Sequence, residues 1–238
     1  MIACLPMYDM PHASAAYDRL WSAIAAQLPG APAHLTREGD LWVIWQSPDL
    51  LLAQTCGLPY RAKLHGKVTL VGTPDYNLPS CPPGYYCSVT VIRAGRSEPP
   101  QPTDTIAYND PLSQSGWAAA QAVGLGQGDR LETGSHAASA QAVAEGRAAV
   151  ACLDALTWRM LQVEEPELCA QIQVAGATPP TPGLPFITSK DRDPAPIFAA
   201  LTAAIGTLSA QDRDLLHLQG CVEIPAKDYL ALPIPDCP

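Results

Sequence analysis

The chain has 238 residues, of which 47% are hydrophobic and 16% are charged. This length and composition are typical of one large folded domain or two smaller lobes, and they exclude a disordered chain. The 23 acidic and 14 basic residues give a formal net charge of −9, which argues against nucleic acid or an anionic membrane as a non-specific partner. A small anion stays compatible with this charge, because a local cluster of backbone N–H groups can bind one.

No stretch reaches the roughly 18 apolar residues that a membrane-spanning helix requires. Residues 1–9 have neither the basic region nor the long apolar region of a secretory signal. We therefore expect either a cytoplasmic protein or one whose export signal is not part of this sequence. The cysteines lack the paired spacing of zinc ligands, so we expect no metal and no cofactor.

The first part of the chain alternates predicted strands with predicted helices. Helix 12–28 is predicted from apolar residues at helical spacing, and strand 49–55 from a continuous apolar run. Further strands are predicted at 2–7, 33–36, 67–72 and 85–93, and further helices at 41–46 and after residue 57.

The second part continues the same alternation. After a helix predicted to reach residue 124, residues 126–133 are predicted to be a loop. Strands are predicted at 105–108, 149–153, 172–178 and 186–188, and helices at 135–146, 155–161, 194–208, 212–216 and 226–232.

This alternation predicts the α/β class, with parallel sheets covered by helices. Two such runs, residues 2–92 and 105–178, indicate two Rossmann-like lobes joined by two crossing segments. We place lobe one at 1–92 plus 186–238, and lobe two at 93–185. Residues 89–93 and 186–188 are the predicted hinges.

Residues 106–117 carry the most specific pattern. A short strand is broken by Asn109-Asp110-Pro111, and Ser113, Ser115 and Gly116 then open a helix. A helix start has unpaired N–H groups and a partial positive charge, so it can bind a small oxyanion. The alternative is that one serine is only an N-cap. Gly134-Ser135-His136 opens a second helix in the same way.

Four stretches together resemble one known family. They are residues 54–60 (Gln-Thr-Cys-Gly-Leu-Pro-Tyr), 84–89, 109–116, and 133–136 with 151–155. They are similar to the phosphate/phosphonate substrate-binding proteins of ABC transporters, the PhnD-type group with the type II periplasmic-binding fold. The resemblance implies a periplasmic protein that closes two lobes around a ligand in the cleft between them. It also implies an ABC permease as partner, and we expect a monomer.

The resemblance also implies roles for individual residues. Residues 113–116 would contact phosphate or phosphonate oxygens, and residues of lobe one would contact the ligand from the opposite wall. His136 would complement the anion as an N–H donor or as a cation, and Asp154 would meet a ligand amino group or orient His136. The implied ligand-binding set is Tyr8, Thr55, Cys56, Gly57, Ser113, Gln114, Ser115, Gly116, His136 and Asp154.

Several residues have a plainer interpretation. Asp154 is equally well placed to cap the helix that follows it, and His136 in a first helical turn to be solvated. Tyr60 is as well placed to pack in a core as to stack on a ligand, and Trp117 is expected in a core. Cys4 and Cys152, within apolar runs, are expected to be buried thiols. The resemblance also suggests a Cys56–Cys81 disulfide, with Cys81–Cys87 as an alternative pairing.

Three functions are compatible with these patterns. The first is solute binding of a small oxyanion such as phosphate, phosphite or a phosphonate for ABC-type uptake. The alternatives are a cytoplasmic enzyme and a ligand sensor on the same two-lobe fold. No nucleophile–base pair is recognisable, and His136 with Asp154 is the only candidate acid/base couple. We therefore assign no catalytic residue.

Overall fold

The computed structural model describes residues 1–238 and has mixed α/β architecture. The strands are β1 (Ile2–Cys4), β2 (Leu50–Gln54), β3 (Val68–Asp75), β4 (Tyr85–Tyr86), β5 (Ser88–Arg93), β6 (Ile106–Tyr108), β7 (Arg130–Glu132), β8 (Val150–Asp154), β9 (Ile172–Ala177), β10 (Thr181–Pro182), β11 (Phe186–Ser189) and β12 (Gly220–Val222). The helices are α1 (Ser14–Ala25), α2 (Leu41–Trp45), α3 (Gly57–Pro59), α4 (Ala119–Ala122), α5 (His136–Ala144), α6 (Ala155–Glu164), α7 (Pro166–Cys169), α8 (Ala195–Gly206), α9 (Ala210–Leu216) and α10 (Ala226–Leu230). Two π-helical segments, Tyr60–Leu64 and Gln114–Ala118, adjoin α3 and α4.

The chain folds into two compact units. Unit 1 contains Met1–Tyr85 and Pro182–Leu232, and unit 2 contains Tyr86–Thr181 and Pro233–Pro238. The chain therefore leaves unit 1 after Tyr85, returns at Pro182, and enters unit 2 again for its last six residues. No helix of the structure is long and apolar enough to cross a membrane.

Unit 1 is built on a five-stranded mixed sheet of order β1-β2-β11-β3-β12. β1 and β2 are parallel, and all five residues of β2 are buried, as the apolar run predicts. β11 is antiparallel to both β2 and β3, so the expectation of a purely parallel sheet is wrong. The predicted strand 33–36 is also wrong, since these residues form no strand and only the Thr36 N–H donates to the Ala3 carbonyl, at 2.7 Å.

Unit 2 is built on a second five-stranded mixed sheet, of order β7-β6-β8-β5-β9. β6 is parallel to β7 and β8, whereas β5 is antiparallel to β8 and β9. β7 lies inside the stretch predicted to be a loop, because its polar and charged sequence gives no strand pattern. The proposed hinge 89–93 falls within β5, a central strand of this sheet.

Several predictions about single residues are confirmed. Trp117 is 1% exposed and its ring lies 5.4 Å from that of Tyr108, so it belongs to the core of unit 2. Tyr60 is 2% exposed and packs edge-on against Tyr229 in unit 1. Cys4 and Cys152 are buried, and this burial raises the pKa of each thiol to about 11.

The structure contains no disulfide bond. The Cys56–Cys81 pairing and the alternative Cys81–Cys87 pairing are therefore not formed. Cys56, Cys81 and Cys87 are each half-buried.

Candidate functional site

Three parallel strands of unit 2 end at one edge of its sheet. Tyr108 at the end of β6 pairs with Glu132 at the end of β7, and β8 runs alongside β6 in the same direction. Each strand leads into a helix: β6 into the Gln114–Ala118 segment and α4, β7 into α5, and β8 into α6. The Gln114–Ala118 segment and α4 together are called the site helix. Three helix N-termini are thus brought to the edge at which open α/β sheets bind ligands.

The site helix begins with the cap that its sequence predicts. The backbone at Ser113 is extended, and its Oγ accepts a hydrogen bond from the Gly116 N–H at 2.9 Å. The first N–H groups of a helix have no acceptor within the helix, and Ser113 satisfies one of them.

The other two helices differ in the charge of their caps. Ser135 Oγ accepts from the Ala138 N–H at the start of α5, at 3.1 Å. Asp154 Oδ1 instead accepts from the N–H groups of Leu156 and Thr157 at the start of α6. The carboxylate compensates the positive end of α6, whereas the neutral hydroxyl leaves that of α5 uncompensated. An anion is therefore favoured at the site helix and α5.

Asp154 is 2% exposed and serves as the cap of α6, as its plainer interpretation predicts. This cap explains why an acidic residue is buried at the end of β8. Its role toward a ligand amino group, or toward His136, stays a prediction from the resemblance.

A contact between Ser115 and His136 joins the two helix starts. Ser115 Oγ lies 2.9 Å from His136 Nε2, and Ser115 is 5% exposed. Burial lowers the pKa of His136 to about 4, and an interaction with the Cys152 backbone opposes this only partly. This pKa keeps His136 neutral at pH 7 and favours the N–H donor over the cation, the two roles that the resemblance implies for it. A neutral imidazole can still position the Ser115 hydroxyl.

Gly116 is required by a close neighbour. A Cβ at Gly116 would lie 2.0 Å from Asn109 Oδ1 and 3.1 Å from Ser113 Oγ. Asn109 Oδ1 is buried and accepts no hydrogen bond. The absent side chain thus lets the Asn109 loop approach the first turn of the site helix.

Gln114 and Thr133 complete the surroundings of this edge. Gln114 is the first residue of the site helix and is 6% exposed. Thr133 follows β7, donates to the Tyr108 carbonyl at 3.0 Å, and lies 2.7 Å from Ser139 Oγ. Thr133 thereby ties α5 to β6. The sequence analysis gives Thr133 no role. A hydroxyl residue between a strand and a serine-capped helix does, however, indicate a hydrogen bond to the nearby backbone.

The site residues predicted in unit 1 lie at the ends of β1 and β2. Because these strands are parallel, Tyr8 and Thr55 follow the same edge of the sheet. Tyr8 is 4% exposed and its ring packs edge-on against Tyr76, with 5.1 Å between centroids. Tyr76 also accepts a hydrogen bond from Gln54 Nε2 at 3.1 Å. Tyr76 was not predicted, because it follows β3 in a loop without a distinctive pattern.

Thr55, Cys56 and Gly57 form the turn from β2 into α3. Thr55 is fully buried, and its N–H donates to the Pro185 carbonyl at 3.1 Å. Its Oγ1 is buried and has no hydrogen-bond partner. Cys56 is extended at the start of α3 without a side-chain capping bond, and Gly57 is buried as the first residue of that helix.

The structure offers no group of three or more His, Cys, Asp or Glu residues arranged to hold a metal ion. The chemistry at the unit 2 edge is that of hydrogen-bond donors and hydroxyls. Such a set can bind an oxyanion without a cofactor.

Comparison with protein families decides the identity. A family model described as the periplasmic substrate-binding protein of phosphonate ABC transporters matches residues 101–229, more than half of the chain. The chain belongs to this family. The matched segment of this phosphonate-family substrate-binding protein includes the site helix, α5 and Asp154. No curated protein sequence matches the chain.

Solved structures share the fold of this substrate-binding protein. PhnD1 from Prochlorococcus marinus, solved with methylphosphonate, is 14% identical with a TM-score of 0.69, covering 96% of this chain and 94% of that one. A binding protein component of an ABC phosphonate transporter from Pseudomonas aeruginosa is 15% identical with a TM-score of 0.70, covering 97% and 82%. XAC2383 from Xanthomonas citri, solved with ATP, is 13% identical with a TM-score of 0.68, covering 97% and 94%. Type II binding proteins for arginine are also similar, which confirms the predicted fold class.

Proposed function

We propose that this substrate-binding protein takes a small phosphonate, phosphite or phosphate as its ligand and binds it in unit 2 at the start of the site helix. The observation that carries the proposal is the pair of neutral-capped helix starts joined by the contact of Ser115 with His136. Methylphosphonate in the similar Prochlorococcus marinus structure supports this class of ligand.

Each residue at this edge has a distinct part in the proposal. Ser113 fixes the first turn of the site helix through its capping bond. The N–H groups of that turn therefore need not change conformation when the anion binds. In the tautomer that carries its proton on Nε2, neutral His136 donates to Ser115 Oγ, which fixes the hydroxyl and leaves its proton to be donated to the anion. Ligand contact by Tyr8, Thr55, Cys56 and Gly57 of unit 1 rests on the resemblance and is tested separately by substitution.

The family places such proteins in the periplasm and in ABC transport. We propose accordingly that this chain acts after export, as a monomer, and delivers its ligand to a permease. Its negative net charge of −9 favours solubility as a monomer.

Isothermal titration tests the proposal with methylphosphonate, 2-aminoethylphosphonate, phosphite and phosphate. Ser115→Ala removes one hydrogen bond to a charged ligand and should weaken binding about tenfold. Ser22→Ala, an exposed serine of α1 in unit 1, is the matched control and should bind like the wild type. Thr55→Val and Tyr8→Phe report on the unit 1 residues.

Three results would oppose the proposal. If none of the four anions binds, the anion site is excluded. If ³¹P NMR shows that a bound ligand is converted to another species, the protein is an enzyme on this fold. Unchanged affinity in Ser115→Ala would move the site away from the site helix.

A further inference from the structure

A cluster of arginines lies in unit 2, at the end of its sheet opposite the candidate site. A cavity of about 330 Å³ is found where β6 and β8 begin, beside Thr105 and Ala149, whereas the candidate site lies where these strands end. Its charged lining residues are three arginines, Arg93, Arg96 and Arg147, and no acidic residue lines it. Three converging arginines are unexpected in a chain with 23 acidic and only 14 basic residues.

Arg96 forms the fixed wall of this cavity. Its guanidinium donates to the carbonyls of Glu98, Pro99 and Ala149 and pairs with Asp104 at 2.7 Å. The bond to Ala149 joins the loop after β5 to the loop before β8. Because these bonds use four of the five N–H groups of the guanidinium, Arg96 shapes the cavity and leaves most of the ligand binding to its neighbours.

Arg93 and Arg147 are the available cations. Arg93 ends β5 and is exposed, and its guanidinium makes neither a hydrogen bond nor an ion pair. Arg147 pairs through Nε with Glu145 at 2.6 Å, but the two side chains are 51% and 45% exposed. An exposed ion pair of this kind contributes little to stability. A ligand anion can therefore replace the Glu145 carboxylate at Arg147. Both guanidiniums therefore keep N–H donors for a ligand.

The backbone around Gly146 makes room for these cations. Gly146 has φ of +76°, and a Cβ at this position would lie 3.3 Å from Arg93 Nη1. Glycine thus provides both the left-handed turn that ends α5 and the space for the Arg93 guanidinium.

The negative end of α5 is shielded where it meets the cavity. The Ala142 carbonyl accepts from the N–H groups of Arg147 and Ala148, and the Val143 carbonyl accepts from that of Gly146. These bonds satisfy carbonyls that would otherwise repel an anion at a helix C-terminus. The arginines therefore dominate the local charge.

We propose that this cavity is a second anion site, which binds a small soluble molecule bearing a phosphoryl group through Arg93 and Arg147. A guanidinium donates two parallel hydrogen bonds to phosphate oxygens, and two guanidiniums match the charge of nearly −2 that a phosphate monoester carries at pH 7. A volume of about 330 Å³ is at the lower end of small-molecule sites. The site is independent of the transport ligand, since it lies at the opposite edge of the sheet.

The test is a titration with inorganic pyrophosphate, performed on Ser113→Ala/Ser115→Ala protein so that the first site does not contribute. Saturable binding is expected, and Arg93→Gln or Arg147→Gln should weaken it about tenfold. Lys67→Gln, which removes one exposed charge in unit 1, should leave it unchanged. Arg93→Lys keeps the charge but loses the paired geometry, so it should fall between wild type and Arg93→Gln.

Two outcomes overturn the second site. One is the absence of saturable pyrophosphate binding by both titration and ³¹P line broadening. The other is equal weakening by Lys67→Gln and by the arginine variants, which would indicate a general effect of net charge. Loss of methylphosphonate binding in the serine variants bears only on the proposed transport function, so the two failures are distinguishable.

Discussion

At the scale of single residues, the Asn109 side chain packs so closely against Gly116 that it leaves no room for a Cβ there. Gly116→Ala would place a Cβ 2.0 Å from Asn109 Oδ1, and relieving such overpacking costs about 1–3 kcal/mol. We expect urea unfolding to show a loss of this size. Asn109→Ala in the same chain removes the obstructing oxygen, which accepts no hydrogen bond, and should restore most of the stability. Equal stability of Gly116→Ala alone and the double variant would contradict this interpretation.

His136 makes the stability of the protein depend on pH. Its pKa is about 4 in the folded protein, against an ordinary value of 6.5, because burial disfavours the charged form. The unfolded chain therefore binds the proton more readily, and stability is complete above pH 6.5 and decreases as the pH falls toward 4. The loss is at most roughly 3 kcal/mol.

The matched variant for this prediction is His136→Gln, whose amide can keep a hydrogen bond to Ser115 without titrating. Thermal unfolding measured from pH 7 to pH 4 should show a smaller decline in this variant than in the wild type. Carboxylates that titrate over the same range affect both proteins equally and cancel in the difference. Parallel curves would show that His136 is not held neutral by burial.

At the scale of elements, α6 tests the role of Asp154. Asparagine caps a helix about as well as aspartate, so Asp154→Asn should retain stability, whereas Asp154→Ala should lose about 1 kcal/mol. If the cap is its only role, Asp154→Asn changes the affinities for methylphosphonate and 2-aminoethylphosphonate by the same factor. A selective loss of 2-aminoethylphosphonate binding in titrations would instead show that Asp154 contacts the ligand amino group.

Elements with a strong local pattern could be predicted from the sequence, and those defined by their neighbours could not. The buried run of β2 and the serine-capped starts of the site helix and α5 each have a direct local cause. β7 is recognisable as a strand only because it pairs with β6. The Ser115–His136 contact depends on the parallel order of these strands, which residue spacing does not specify.

At the scale of the whole molecule, the order of strands in each sheet was the hardest feature to predict. β11 enters unit 1 between β2 and β3, although it follows them by more than a hundred residues in sequence. Such long-range pairing leaves no local trace beyond a short apolar run. The same limit applies to Tyr76, whose contact with Tyr8 follows from the sheet and not from either neighbouring sequence.

The last six residues, Pro233–Pro238, belong to unit 2 and contact the site helix. The buried indole of Trp117 donates its Nε1–H to the backbone carbonyl of Asp236 at 2.7 Å. Ending the chain at Leu232 removes this acceptor, and a buried donor left unsatisfied costs about 1–3 kcal/mol. We expect the truncated protein to unfold at lower urea concentration, with faster hydrogen exchange in the site helix. Asp236→Ala keeps the backbone carbonyl and should behave like the wild type. Unchanged exchange in the truncated protein would show that the tail does not stabilise the site helix, whereas a loss in Asp236→Ala would assign the effect to the carboxylate.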